Sequence, residues 1–193
     1  MPRDYNGSAT SCLRRCAGRV GPPVRVMHAR LCDQEVVMSP DHRAILDQIR
    51  FAPEALRQAL ATVPPGAHDR SPRPGQWSVR ETLVHMRNSV VMVHGLRIRR
   101  LLYERDPVFA DYDEATYRAE DLRRGEPLED LVRMIVHEHE QIAGLLNGLP
   151  DDRWTRQGRH PELGPMSVEF LARRVAEHAL EHTQQIAETA RAL

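Results

Sequence analysis

The residues of this chain best placed to do chemistry are histidines. His178 and His182 belong to a stripe, Leu171, Val175, His178, His182 and Ile186, whose members follow at intervals of four, three, four and four residues. At roughly 100° per residue these positions share one narrow face of a helix, and the apolar members mark that face as buried. Two imidazoles one turn apart can aim at a common point. That is the spacing of a His-x-x-x-His metal pair, and imidazole suits zinc, nickel or ferrous iron. In a chain with ten histidines the pair alone is a weak signal. His85 adds to it, because Ser89, Met92 and Leu96 continue its side of a second helix and allow it to face inward. Three imidazoles in an apolar bundle leave ring nitrogens in need of partners, and a shared cation satisfies them. Three protein ligands also leave coordination positions open, which points to catalysis or substrate capture rather than to a closed structural site.

Other titratable residues read differently. His139 lies with Ile135 and Ile142 on an inward face, whereas His137 points away. His139 reads first as a core histidine or one that supports the ligands, with ligand or proton shuttle as the alternative. Glu81, one turn before His85, and Glu181, beside His182, stand where a carboxylate can orient an imidazole, although an exposed helix carboxylate is the simpler account. His160, in the segment GRHPELG, reads as a surface residue near a pocket. His28, His42, His68 and His94 carry no functional reading, and Arg99 and Arg100 read as a solvated face before a substrate-carboxylate site.

Four helices are needed to position the three histidines. Ser39-Pro40-Asp41 supplies a cap and a proline at the first helical position, and Ile45, Leu46, Ile49, Leu56 and Leu60 recur at helical spacing, with Pro53 predicting a kink or a fresh start. Val63-Pro64-Pro65-Gly66 ends this helix. Ser78 and Glu81 form a capping-box pattern for a second helix running to about Tyr103, which is apolar on more than one side, as a homodimer contact would require. Residues 104–126 are polar and without periodicity, but Phe109, Tyr112 and Tyr117 give them the weight to cover a pocket. A third helix starts near Pro127 and is closed by Gly148 and Pro150. A linker containing Trp154 leads to Ser167, the cap of a fourth helix that continues almost to Leu193.

Composition narrows the class. The chain has 193 residues, which suits a single domain, and Lys+Arg equals Asp+Glu at 27 each, so no broad electrostatic grip on nucleic acid or anionic membrane is expected. Small molecules or protein are the expected partners. Aromatics make up only 5% while helix-forming residues abound, so the fold class is all-α. Every basic residue is Arg, a pattern that reflects coding bias rather than phosphate binding. Residues 1–38 carry Gly, Pro, Arg and all three cysteines (Cys12, Cys16, Cys32) without helical periodicity. They read as a disordered leader or a gene-start artefact, with Met27 or Met38 as the true start, ahead of a metal-binding domain at 39–193. The opening run lacks the continuous apolar stretch that a signal peptide or membrane span requires, and a reducing cytoplasm is the expected compartment.

Three segments carry a resemblance: RPGQWSVRETLVHM around His85, WTRQGRHPELGPMSVEFL before the last helix, and EHALEHTQQI with the histidine pair. Over roughly residues 40–193 they resemble the DinB-like superfamily, in particular its DinB and mycothiol-dependent maleylpyruvate isomerase branches. The resemblance implies an up-down-down-up four-helix bundle, often dimeric, with a zinc- or nickel-type cation on His85, His178 and His182. It also implies a low-molecular-weight thiol such as mycothiol or bacillithiol as cofactor in S-transfer or isomerisation. Hydrolysis, with His139 or a glutamate as base, and a non-catalytic metal- or ligand-binding bundle are the competing readings.

Overall fold

The computed structural model describes residues 38–193. The leader reading and the three cysteines lie outside the described residues, apart from Met38, which is buried in the core. Helix α1 spans Pro40–Ala61, capped by the Ser39 hydroxyl, which accepts the His42 N–H at 3.2 Å. The helix continues through Pro53 rather than starting afresh there. The proline removes one backbone donor, but Ile49, Ala52, Pro53 and Leu56 are all buried, and that packing holds α1 as one helix.

The second long helix is α2 (Val79–Asn88) and α3 (Leu96–Tyr103), joined without a break by a π-helical segment, Ser89–Gly95. The capping box at its start forms in full. Ser78 Oγ accepts from Glu81 N at 3.2 Å, and Glu81 Oε2 accepts from Ser78 N at 2.8 Å, an arrangement worth about 1 kcal/mol. Residues 104–126 are not wholly irregular as expected. They contain α4 (Glu114–Arg124), which buries only Asp121 and therefore shows no apolar stripe. Its local signals are the Asp113 cap, the i,i+4 pairs Glu114–Arg118 and Glu120–Arg124, and Gly125 at φ 65°.

Helix α5 spans Leu128–Leu146 and α6 is a single turn, Asp151–Trp154. The expected linker before the last helix forms a small antiparallel hairpin, β1 (Gln157–His160) with β2 (Gly164–Ser167), and α7 follows over Val168–Ala192. Phe109 N donates to Arg159 O at 2.9 Å, and Arg159 N donates to Pro107 O at 2.9 Å, which ties the segment after α3 to the hairpin. Gly158 is needed there, since a Cβ would sit 2.7 Å from Phe109 Cζ.

The bundle's direction follows from its cross-links. His42 near the start of α1 bonds Asp151 and approaches Glu169 at the start of α7, so α1 and α7 run parallel. Arg50 of α1 reaches Asn147 beyond the end of α5, so those two are antiparallel. Arg80 and Arg99 of the second helix reach Glu126 and Glu138 in order along α5, so this pair is parallel. The result is an up-down-down-up four-helix bundle. Its core has two clusters, one around Ile49, Ile98, Ile142 and Leu171, the other around Leu56, Leu83, Leu131 and Ile186. Trp154 closes the first, stacked on His42 at 4.1 Å with its Nε1–H donating to Leu149 O at 3.2 Å. Among the described residues, no helix is long and apolar enough to cross a membrane.

Candidate metal centre

Between the two core clusters, α2 and α7 bring His85, His178 and His182 together. One ligand atom from each lies within 4.8 Å of the others, and the ring centroids are 4.9 Å (His85–His178), 4.6 Å (His85–His182) and 4.4 Å (His178–His182) apart. The nearest approach is between the Nε2 atoms of His85 and His178, at 2.9 Å.

Hydrogen bonds behind the rings set their tautomers. Glu114 Oε1 accepts from His85 Nδ1 at 2.9 Å, and Gln185 Oε1 accepts from His182 Nδ1 at 2.7 Å. Each acceptor requires the proton on Nδ1, which leaves the Nε2 lone pair directed away from it. Arg118 Nε in turn donates to Glu114 Oε1 at 2.8 Å, and the Arg118 guanidinium lies 4.4 Å over the Trp77 ring. Trp77 flanks His85 and His182, with ring centroids at 5.0 and 6.3 Å. A chain of contacts therefore runs from α4 through Trp77 to two of the three imidazoles. Oriented Nδ1–H donors and free Nε2 atoms form the donor set that a divalent cation requires, so these residues fit one.

Burial first, then His182, His94, His85 and Arg174, holds His178 down to about 2. Burial is also the leading cause that lowers His182 and His139, and it brings His94 to about 4, with Arg174, Arg97 and His85 adding to the effect there. The folded protein thus keeps these rings neutral, the form that ligates. The sign for stability follows. Below the ordinary value of 6.5 the unfolded chain takes up protons that the folded chain refuses at His178 and His94, each contributing up to about 1.4 kcal/mol per pH unit. Stability is complete above pH 6.5 and declines below it, until the folded values are passed. Metal-free protein is therefore expected to lose about 5 °C or more of Tm between pH 6.5 and 5. A thermal melt series in chelator checks this, and a flat Tm would mean that the rings protonate freely in the folded state.

The other candidates are placed as follows. His139 is buried on α5, its Nδ1–H donating to Ile135 O at 2.7 Å and its Nε2 without a partner; it is not a member of the three-histidine group. Glu81 is committed to the Ser78 cap and approaches Arg118 at 3.6 Å, while Glu114 holds the position on His85. Glu181 faces Arg174 at 3.9 Å. His160 is buried rather than on the surface: its Nδ1 accepts the N–H groups of Glu162 and Leu163 at 3.3 and 3.2 Å, and its Nε2 meets Asp111 at 3.0 Å, which fastens the hairpin turn. Arg99 is partly exposed and pairs with the buried Glu138. Glu114, Gln185 and His94 were not singled out by the sequence reading. The ring of His94 stands 5.7 Å from that of His178.

Known proteins give the setting. Over 123 residues the chain is 28% identical to a protein of Oceanobacillus iheyensis described as a candidate metal-dependent hydrolase, covering 64% of this chain and 70% of that one. In fold it is similar to YfiT from Bacillus subtilis, described as a candidate metal-dependent hydrolase with an unusual four-helix bundle topology. The TM-score is 0.70 at 23% identity, over 80% of this chain and 89% of that one. The sequence profile of the DinB superfamily matches residues 48–186, the span that carries all three histidines, and the chain belongs to that superfamily.

Proposed function

We propose that this protein is a divalent-metal-dependent enzyme acting on a small molecule, with His85, His178 and His182 as ligands and a low-molecular-weight thiol as the attacking group, an S-transferase or isomerase. The observation that carries this reading is the convergence of three ring nitrogens within 4.8 Å. Partners on Nδ1 leave the Nε2 lone pairs of His85 and His182 available, and Nε2 of His85 already stands 2.9 Å from Nε2 of His178. Zinc or nickel suits such an all-nitrogen set. When bound, the cation supplies positive charge and Lewis acidity, which shift a thiol or a water toward its deprotonated, nucleophilic form.

The chain's own residues do the rest. The neutral rings of His178 and His182 present lone pairs without first having to lose a proton. Glu114 and Gln185 hold two of the rings in orientation, and Trp77 keeps water from one side of the cluster. No cysteine occurs in residues 38–193, so the sulfur would come from a soluble cofactor of the mycothiol or bacillithiol kind.

Hydrolysis is the second reading, favoured by the description of the Oceanobacillus relative. One experiment separates the two. Metal-loaded protein is incubated with mycothiol or bacillithiol and monochlorobimane, and in parallel with model esters and amides without thiol. Thiol-dependent consumption of the electrophile, lost on chelation, is the expected result. Ester or amide turnover without thiol would move the assignment to hydrolysis, and thiol binding without turnover would make the protein a ligand-binding bundle.

A further inference from the structure

His94 follows His85 by nine residues, which at α-helical pitch, about 100° per residue, would put it half a turn away from the metal centre. Its ring is nevertheless in edge contact with that of His178, 5.7 Å between centroids. The π-helical segment Ser89–Gly95 accounts for this. With i→i+5 bonding the chain turns by only about 82° per residue, and over six residues the lag of roughly 110° swings His94 back toward the side of His85. Its Nδ1 is closed off from solvent and has no hydrogen-bond partner. A buried orphan nitrogen weakens the fold, so the arrangement calls for a role other than stability.

Two guanidiniums stand beside it. Arg97 is three residues after His94, and Arg174 is four before His178. Because α2–α3 and α7 run in opposite directions, both lie one turn from the His94–His178 contact toward the same end of the bundle. Arg97 Nη1 reaches Met166 Sδ at 3.9 Å, next to the start of α7, which confirms that direction. Arg97 Nη2 donates to Ala110 O at 2.9 Å and its guanidinium lies 5.5 Å from the centre of the Phe109 ring; Asp111 is the carboxylate that acts on it, although among the described residues none pairs with it within 4.0 Å. Arg174 is shared with the half-exposed Glu177 and with Glu181, so of the two guanidiniums Arg97 is the one without a carboxylate within 4.0 Å among the described residues.

We propose that the π-helical turn serves to carry His94 to the three-histidine centre beside His178, where with Arg97 and Arg174 it forms a subsite for a carboxylate of the substrate. The substrate is then a small organic anion, one end held by the planar guanidinium fork and the other directed toward His85, His178 and His182. The inference rests on the metal-centre reading for where the second end goes. The subsite itself stands on chain geometry.

The test uses the full chain loaded with Co(II) and titrated with succinate, followed by the visible bands of the metal. Wild-type protein is expected to show saturable, millimolar binding. Arg97→Gln and His94→Ala should weaken it at least tenfold, while Co(II) affinity stays within twofold of wild type and Arg123→Gln, on α4, leaves both unchanged. Neutral succinamide should bind at least tenfold more weakly than succinate. Equal succinate affinity in wild type and Arg97→Gln would overturn the proposal, as would equal binding of succinamide. A loss of Co(II) in His94→Ala as severe as in His178→Ala would make His94 a ligand and overturn it as well. If wild type takes up no Co(II), the metal reading fails by itself. Succinate binding to metal-free wild type and Arg97→Gln, read by tryptophan fluorescence, then decides the subsite on the same criterion.

Discussion

His178→Ala protein is expected to lose divalent-cation binding by more than a hundredfold while remaining folded. His178 is the most buried of the three imidazoles and the one whose Nε2 approaches Nε2 of His85, at 2.9 Å. Without it, His85 on α2 and His182 on α7 are left as two ligands on separate helices. The pair that shares one helix, and so needs no tertiary adjustment to converge, is gone. A partner behind a ligand matters less: its loss costs about 10–100-fold in metal affinity. A graded series follows. His178→Ala and His182→Ala should fall below reliable stoichiometric binding. Glu114→Gln should retain the metal with affinity lowered about 10–100-fold, because the amide can present its N–H to His85 Nδ1 and oppose the tautomer that the carboxylate enforces. Metal analysis after gel filtration, with competition against a chromophoric chelator, measures the series. Circular dichroism of each variant separates ligand loss from unfolding. Unchanged metal content in folded His178→Ala would remove the centre from this protein altogether.

The sequence was most legible where α-helical periodicity holds. His178 and His182 sit on a regular helix of 25 residues, and His85 is in the regular part of its own, before the π-helical segment, so phase places each on an inward face, where the fold brings them together. The same arithmetic fails for His94. The π-helical segment breaks the assumption of a constant turn per residue, and nothing in Ser89–Gly95 announces it beyond a single glycine in a helical run. Glu114 was hidden for another reason. It lies on α4, whose polar sequence has no buried stripe, and its approach to His85 is tertiary, across 29 residues. Gln185 was in principle visible as the i+3 neighbour of His182, but glutamine on a helix ordinarily faces solvent, so spacing without a partner did not mark it. Glu81 shows the converse. Its position one turn before His85 and its place in the capping box were both read from the sequence, and the structure uses it for the cap. The hairpin at 157–167 escaped because strands of four residues, one beginning with Gly-Pro, carry too little alternation to register.

Gly95→Ala is expected to destabilise the protein by about 3 kcal/mol or more, and the reason lies in the approach of α5 to the π-helical turn. A Cβ at this position would overlap Glu138 Oε1 and stand 2.6 Å from the Val90 carbonyl oxygen and 2.9 Å from Arg99 Nη1. The neighbour on α5 cannot retreat cheaply. Glu138 is 8% exposed, and its carboxylate pairs with the Arg99 guanidinium, Arg99 Nη2 to Glu138 Oε2 at 3.1 Å, so displacing it strands a largely buried charge. Separating the partners of a buried ion pair costs about 3–5 kcal/mol, and overpacking a helix contact about 1–3 kcal/mol. Relaxation that moves Glu138 aside avoids part of the second cost by incurring the first. The alternative is for the turn itself to give way, reverting toward α-helical pitch and carrying His94 away from His178. Gly144 on α5 supplies the control: a Cβ there meets nothing within 4 Å, its backbone is helical, and Gly144→Ala should stabilise by about 0.5–1 kcal/mol. Urea unfolding of the two variants is therefore expected to shift in opposite directions. A Gly95→Ala protein as stable as wild type would mean that the Arg99–Glu138 pair moves freely. In that case the π-helical turn would not depend on the fit between Gly95 and α5.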